Sequence, residues 1–552
     1  MQISEITIHN FRGIYDQKVI LNPYSIFVGT NNSGKTTFID AIRAFYEKDY
    51  KFSEKDLSIL HPDDQESWIE ILFKLTSDEQ ESLKAEYCLG NNTLKVRKYF
   101  ATKSPDFKAG YIYAYAVDGT LQNSSFYGWK GVQQGKFGSI IYIPAVSKVE
   151  DHTKMTGASA LRDILLNLMT TVAKNSEAYT SLKESVETFA TKIRGLKSEQ
   201  QNLLYNFEQD FSEKLKNWNT KFELTINPPT IELIVKNMVG FDLTDLTLNA
   251  QQDVSAYGSG FQRHFIYSLL ELSAKFEPVK DTKKDSFQPD MTLILFEEPE
   301  AFLHPSQQES LARALEKMSC GNNIQIICTS HSPFMLSRKD QAMFSLIKVQ
   351  RQDGEVQYRQ ITKNEWDNIA RENLSSTAVV ATQNHSELRT EEMESIRYFI
   401  LLNPDRLNIF FAEQVLFVEG PSEIALINKL ISDNKLEIPC GCYILDSMGK
   451  FNMPKFMNLC SSLGIYHSVL YDKDNGRNHQ NEWNQIINGH KNDFTKCIQE
   501  LDHDLESFLG LPQISGNDKH LKPQILLEKY INGDILQKHL DAFCQRIQNM
   551  LH

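Results

Sequence analysis

FVGTNNSGKTTFIDAIRAF, residues 27–45, passes from a short apolar run through a glycine-bearing loop into a helical pattern. Its middle, Gly29 to Thr36, satisfies G-x-x-x-x-G-K-[ST]. In such a loop the backbone amides cradle phosphate oxygens at a helix N-terminus, where the peptide dipoles favour negative charge. Lys35 then reaches the outer phosphates and the Thr36 hydroxyl ligates Mg²⁺, with Gly29, Asn32, Gly34 and Thr37 completing the candidate nucleotide contacts. ATP and Mg²⁺ are the expected cofactors, and an α/β domain is the expected setting.

Around this loop the chain reads as strands at 2–9, 18–28, 68–75, 93–100 and 110–116, with a buried strand at 139–143 that stops at Pro144. From about 155 to 220 it turns to long polar helices without proline. They form either a protruding dimerisation arm or helices packed on the same domain, since apolar positions recur without a sustained heptad. Strands resume after NPPT at 227–230, and MTLILFEE (291–298) and IQIICTS (324–330) read as buried parallel strands. One α/β domain is thus expected in two parts, 1–150 and 229–390, interrupted by a helical insertion at 151–228. Residues 350–400 are polar and weakly patterned and carry the chain out of it. A second α/β rhythm over 391–552 predicts another parallel sheet, with functional residues at the C-terminal ends of its strands.

LILFEEPEAFLHP, residues 293–305, adds an apolar strand ending in two acids. Glu297 would sit near the Mg²⁺ and hold it through water, and Glu298 would orient the attacking water as base. His331, in CTSHSP, ends another buried strand, from which it can reach a γ-phosphate. At 257–263, YGSGFQR puts Ser259 and Gly260 at a helix start, a second anion site. A capped core strand and a structural histidine are the plainer alternatives for the acids and for His331. This ordered set resembles the ABC-type ATPase heads of the SMC and DNA-repair families, in which two heads sandwich ATP and the signature of one completes the phosphate site of the other. The resemblance implies a homodimer, or a higher homo-oligomer, whose closure depends on ATP.

In VLFVEGPSE, Glu419 ends an apolar strand and Glu423 begins the next helix. In SVLYDKDNG, a strand reading places Asp472 and Asp474 on one face because the pleat has period two. Glu419, Asp472 and Asp474 converge if the two strands are neighbours, and hard oxygen ligands of this kind suit Mg²⁺ or Mn²⁺. Each motif has a plainer reading, D-x-D-N-G as a turn and V-E-G-x-x-E as a capped helix start. Together they resemble the Toprim fold of topoisomerases, primases and related nucleases.

LNPDRLNIFFAEQVLFVEGPSE sharpens this. Its N-P-x-R and FFA elements ahead of V-E-G resemble the junction in the OLD (overcoming lysogenisation defect) nucleases, which join an ABC ATPase to a C-terminal Toprim domain. The match runs in order from residue 1 to about 530. The family includes Gabija-type and retron-associated defence effectors. The resemblance implies metal ligands at Glu419, Glu423, Asp472 and Asp474, a further acid at Glu506 in LDHDLESFLG, and a lysine, Lys522 in HLKPQ, that steadies the pentavalent phosphate. Lys450 in SMGK follows the second Toprim strand, within reach of a backbone phosphate.

Composition sets the outer bounds. The 552 residues suffice for two to four domains, and 41% hydrophobic with 23% charged content is ordinary for a soluble globular chain. No run nears the roughly 18 uninterrupted apolar residues of a membrane span, and the N-terminus alternates like a strand instead of reading as a signal peptide, so a cytoplasmic protein is expected. The eight scattered cysteines read as reduced thiols. A net charge of −13 excludes a chain coated in nucleic acid but not a local basic groove.

The expected function is an ATP-binding and ATP-hydrolysing, metal-dependent nucleic-acid endonuclease, cleaving DNA foremost, in anti-phage defence. A helicase, or a reverse transcriptase with its noncoding nucleic acid, would be its operon partner. The alternative is a nucleic-acid-binding ATPase whose Toprim domain is a non-cleaving docking or sensing module. Strand passage would need a transesterifying tyrosine in a DNA-gate domain, and Tyr471 reads as strand packing.

Overall fold

The computed structural model describes residues 1–47, 50–128, 135–145, 153–154, 160–173, 176–194, 203–275, 287–321, 323–336, 342–380, 405–474, 480–514 and 520–552. They form two compact units: Met1–Ala145 with Lys283–His552, and Val146–Thr282.

In the first unit, β1 (Gln2–Phe11), β2 (Ile14–Ile20), β4 (Ser67–Lys74), β5 (Thr93–Ala101), β6 (Ile112–Tyr115) and β7 (Leu121–Ser125) make an antiparallel sheet in the order β2-β1-β4-β5-β6-β7. Along β1 the isoleucines Ile3, Ile6 and Ile8 are buried and their polar neighbours are not, the alternation of a strand covered on one face. The covering helix, Lys35–Tyr46, buries Phe38, Ile42 and Phe45 in the core that holds β1 and β4.

A second sheet runs β14-β13-β3-β12-β11-β8, from β3 (Tyr24–Val28), β8 (Ser139–Ile143), β11 (Thr292–Glu297), β12 (Ile324–Ser330), β13 (Leu346–Gln352) and β14 (Glu355–Gln360). All its pairings are parallel except that of β14 with β13. β3, β11 and most of β12 are buried outright, which explains their unbroken apolar runs. β8 is different. The sequence reads it as buried, but it is an edge strand with Ser139 exposed and only Ile143 fully covered.

A third sheet is wholly parallel, ordered β16-β15-β17-β18 from β15 (Gln414–Val418), β16 (Cys442–Asp446), β17 (Tyr466–Asp472) and β18 (Thr495–Leu501). Helices Pro421–Ser432, Lys522–Ile531 and Gln537–Leu551 share a core with it built on Leu416, Val418, Leu470, Leu501 and Phe543.

Two further expectations change. After NPPT the chain enters a helix, Ile231–Met238, whose N-cap Thr230 accepts from Leu233 N–H, before the short pair β9 (Leu243–Asp245) and β10 (Ala250–Gln252). Residues 350–400 are not simply an exit: the β13–β14 hairpin extends the second sheet and the helix Lys363–Val380 follows it. The rest of the second unit, as described, is helical at Ala160–Ala173, Glu177–Arg194, Leu203–Lys214 and Ser259–Lys275.

Candidate active sites at two sheet edges

β3 feeds the loop 29–34 from the middle of the second sheet. A Cβ on Gly29 would stand 2.2 Å from Val349 O, and one on Gly34, at φ +113°, would stand 2.6 Å from Val356 Cγ2. Only glycine lets the loop lie this tightly against the β13–β14 hairpin. Gly34 caps the helix Lys35–Tyr46 without a side-chain hydrogen bond, and its first turn holds no acid. The N-terminal amides therefore face outward as an anion cradle. Lys35 is buried, its Nζ donating to Gly29 O (3.1 Å) and Thr30 O (2.8 Å), and burial pulls its pKa down to about 8. Asn32 and Thr36 are exposed and Thr37 partly so.

β11 and β12 end beside this loop, Val28 pairing with Ser330 and Glu297 with Thr329. The strand stops at Glu297; Glu298 lies beyond it at φ +42°, its N–H donating to Thr329 O. Glu297 accepts from Tyr142 Oη–H through Oε2, while its Oε1 is buried without a hydrogen-bond partner. His331 Nε2 stands 3.4 Å from Glu298 Oε1, and burial together with Lys35 lowers the imidazole pKa. Glu300 was not singled out by the sequence reading. It is buried and accepts from Ser330 Oγ–H (2.8 Å) and His331 N–H (2.6 Å), fixing the start of the turn that carries His331. Its signal was the last acid of E-E-P-E. The unsatisfied oxygen of Glu297 and the exposed Thr36 fit a hydrated Mg²⁺ beside a triphosphate.

Ser259 and Gly260 open the helix Ser259–Lys275 in the second unit, where Gln262 Nε2 donates to Tyr257 O (2.7 Å) and ties down the turn before it.

At the third sheet each of the four parallel strands delivers residues to one edge. Glu419 follows β15, Ser447–Lys450 follows β16, Asp472 ends β17 and Glu506 follows β18. Glu419 Oε1 accepts from Asp472 N–H (2.8 Å), and Glu423, on the first turn of Pro421–Ser432, accepts from Gly420 N–H (3.1 Å). Burial first, and then the charge of Asp472, pushes the Glu423 pKa up to about 7; burial and mutual repulsion likewise raise Glu419 and Asp472.

Asp474 requires a correction. The strand ends at Asp472, so no pleat aligns the two aspartates; Asp474 sits at φ +52° with its N–H donating to His503 O. It points to the cluster all the same, its Oδ2 standing 3.1 Å from Lys450 Nζ. Asn475 and Gly476, read as the turn that releases it, lie outside the described residues. Lys522 Nζ comes within 2.8 Å of Glu506 Oε1, yet that buried oxygen has no donor aligned on it. Asp504, unremarked in the sequence, raises the Asp472 pKa further and is itself held by Ser507 N–H. Tyr471 is strand packing, buried with its hydroxyl on Glu500. Glu419, Glu423 and Asp472 offer the hard oxygens a divalent cation takes, but among the described residues no group of three or more acids, histidines or cysteines is placed to hold a metal ion as the side chains stand.

The two edges are joined. Lys348, on β13 next to β3, is buried and donates to Phe410 O (2.7 Å) and Ala412 O (2.8 Å), in the FFA element that leads into β15 and Glu419. Arg351 of the same strand donates to Asn32 O (3.0 Å) in the phosphate loop.

A phosphate loop on a parallel sheet, followed by a second parallel sheet with acids gathered at one edge, defines an ATPase joined to a Toprim domain. Residues 1–128 and 126–336 match the AAA ATPase domain family, and 410–474 match the Toprim domain of overcoming-lysogenization-defect-like proteins. The chain belongs to that ATPase family and, with its OLD-like Toprim domain, has the architecture of an OLD-family ATPase and nuclease. It is 26% identical over 488 residues to the Old nuclease of Escherichia phage P2, covering 86% of this chain and 77% of that one. Endonuclease GajA of Bacillus cereus strain VD045 is 24% identical over 489 residues, 86% of this chain and 75% of its own.

Among the described residues no helix is long and apolar enough to cross a membrane.

Proposed function

We propose that this protein is an ATP-regulated, metal-dependent endonuclease acting on nucleic acid, DNA foremost, as an effector of prokaryotic anti-phage defence. The observation that supports it most is the convergence of Glu419, Glu423, Asp472, Asp474 and Glu506 on one sheet edge, in a chain that also carries a complete phosphate loop. Relatives named Old nuclease and endonuclease GajA support the same reading over most of the chain.

At the nucleotide site, Lys35 exchanges its two carbonyl acceptors for phosphate oxygens, Glu298 orients the attacking water, and His331 reaches the γ-phosphate. Thr36 and Glu297 would hold Mg²⁺ there. Ser259 and Gly260 of a second copy complete the site in a homodimer.

At the Toprim edge, Glu419, Glu423, Asp472, Asp474 and Glu506 would hold Mg²⁺ or Mn²⁺. A divalent cation bound there would supply Lewis acidity for a water nucleophile and the leaving 3′ oxygen. The protein holds the scissile phosphate through Lys522, whose ammonium meets the extra negative charge of the pentavalent transition state. No side chain need act as nucleophile. The protein works in the cytoplasm with a partner from its operon, a helicase or a reverse transcriptase.

The test is Asp472→Ala with plasmid, linear and single-stranded substrates in Mg²⁺ or Mn²⁺, with and without ATP. Cleavage is expected to vanish while ATP hydrolysis persists. Unchanged cleavage would overturn the assignment and favour a docking or sensing module.

A further inference from the structure

The turn after β16 carries side chains with no part in the phosphodiester chemistry. Ser447 N–H and Gly449 N–H donate to Val418 O (3.0 Å) and Glu419 O (2.7 Å), Met448 N–H donates to Asp446 Oδ1 (2.8 Å), and Asn452 Nδ2 donates to Ser447 O (3.0 Å). These bonds fix the turn to the backbone that carries Glu419. The same turn nevertheless holds two large apolar side chains in water, Met448 at 51% exposure and Phe451 at 43%. Met448 does so at φ +55°, a left-handed conformation that a bulky residue seldom adopts.

A second ring joins the first. Trp483, partly buried in the helix Gln480–Gly489, has its ring centroid 5.0 Å from that of Phe451 at an interplanar angle of 62°. Each ring is tied to the acids through its neighbour in sequence. Lys450, before Phe451, donates from Nζ to Asp472 O (2.6 Å) and stands 3.1 Å from Asp474 Oδ2; Asn484, after Trp483, donates from Nδ2 to Lys473 O (3.0 Å). Two elements thus grip the segment 472–474 and present an aromatic pair beside it. A lone exposed apolar residue needs no explanation, but two rings and a strained methionine on one hydrogen-bonded frame, at the acid-bearing edge of a nuclease domain, point to a ligand with flat apolar faces.

Aromatic side chains hold nucleobases by stacking whatever the base, because every base has a π-face, and a methionine can wedge between neighbouring bases. In continuous duplex those faces are covered by the bases above and below. Resting on the nuclease reading above, we propose that Met448, Phe451 and Trp483 form a stacking platform for one unpaired base next to the scissile phosphate, so that the Toprim edge takes single-stranded or locally opened nucleic acid in preference to continuous duplex. Phe451 supplies the ring face, Trp483 packs against it at a steep angle and holds it, and Met448 separates the held base from the next. The platform sets which strand is bound and takes no part in breaking the bond.

The experiment uses the full chain with Mg²⁺ or Mn²⁺ and three DNA substrates of one sequence: a single strand, a duplex with a central unpaired bubble, and a continuous duplex. Wild type is expected to cut the first two with a KM roughly tenfold below that for the third. Replacing one base at a time by an abasic site in the single strand should reveal one position near the cut where KM rises roughly tenfold while kcat stays within about twofold. Phe451→Ala should raise KM on the intact strand to the same extent and be indifferent to the abasic site, whereas Phe451→Tyr, which keeps the ring, should behave as wild type. The absence of any sensitive abasic position, an equal loss for Phe451→Ala on single strand and continuous duplex, or a Phe451→Ala protein that still responds to the abasic site would overturn the inference. The abasic scan uses unaltered protein, so it decides the matter even where a variant fails to fold. If wild type cuts none of the three substrates, it is the nuclease reading that fails, and the platform is then judged by fluorescence anisotropy of the same oligonucleotides in chelator, where the loss of binding at one abasic position is expected and its absence would overturn the platform as well.

Discussion

The two sheet edges are built with opposite charge logic. At the phosphate loop the cradle is backbone, and Lys35 rests on two carbonyls of its own loop with no carboxylate among the described residues in ion-pair contact. At the Toprim edge the cradle is side chain, and acids outnumber the lysines that touch them. The first presents donors suited to an anion and the second presents acceptors suited to a cation. No residue belongs to both sets, so the two edges are expected to bind their ligands separately and to communicate through protein. One link runs along β13, from Arg351 on the loop to Lys348 on the segment entering β15.

The largest effects should separate the edges cleanly. Lys35→Ala removes the one buried cation of the phosphate loop, and ATP hydrolysis should fall by at least roughly a hundredfold, the scale of losing a preorganised charge at a developing anion. Mn²⁺ binding at the Toprim edge should stay within about twofold of wild type. A parallel loss of Mn²⁺ binding, read by calorimetry, would mean the edges are one site.

Next comes the link. Lys348→Met leaves Phe410 O and Ala412 O without a donor while touching neither set of candidate ligands. Whatever sign ATP has on cleavage, its effect should shrink roughly fivefold or more, with each basal activity retained. An undiminished ATP response, measured as the ratio of cleavage rates with and without nucleotide, would show that the signal travels elsewhere.

How readable each edge was follows from the same contrast. The phosphate loop is eight consecutive residues whose function is written in backbone geometry, so glycines at 29 and 34 and a lysine at 35 announce it. The Toprim edge is dispersed over four strand ends from Glu419 to Glu506, and only their order and spacing along the chain expose it. What stayed hidden depends on tertiary contacts. Asp474 was placed by a strand period that ends two residues earlier, and its actual position comes from Lys450 and His503 O. Glu300, Asp504 and Lys348 were given no role by the sequence, because each acts through a contact with a residue distant along the chain or across a turn. The edge strand β8 read as buried because an apolar run does not say which of its faces finds a neighbour.

Acidity offers a smaller test of the same contrast. Glu423 ionises near pH 7 in the folded protein, against an ordinary value of 4.5, so its folded form holds a proton that the unfolded chain has already lost. That stability is present in full below about pH 4.5 and is lost as pH rises through about 7. In chelator the melting temperature should therefore fall between pH 5 and roughly 8, Mg²⁺ should restore much of it, and Glu423→Gln should flatten the profile. Lys35 carries the opposite sign, since its pKa is lowered to about 8, and ATP should stabilise by giving that charge a partner.

The mildest change tests the far end of the phosphate-loop helix. Its N-terminal amides face the ligand, and its C-terminal carbonyls Ala44 O and Phe45 O are met by Lys98 Nζ at 2.8 and 2.9 Å. Lys98 reaches them from β5, so the antiparallel sheet finishes the helix that the parallel sheet starts. Lys98→Met keeps the aliphatic stem and leaves two carbonyls unpaired, which should cost about 1–3 kcal/mol and lower the melting temperature by a few degrees. ATP affinity should drop only slightly, because the amides at the other end keep their positions, and Mn²⁺ binding at the Toprim edge should not move. A large loss of ATP binding in the still-folded variant would mean that Lys98 helps to hold the cradle itself, and the backbone of 29–34 would then not suffice to define it.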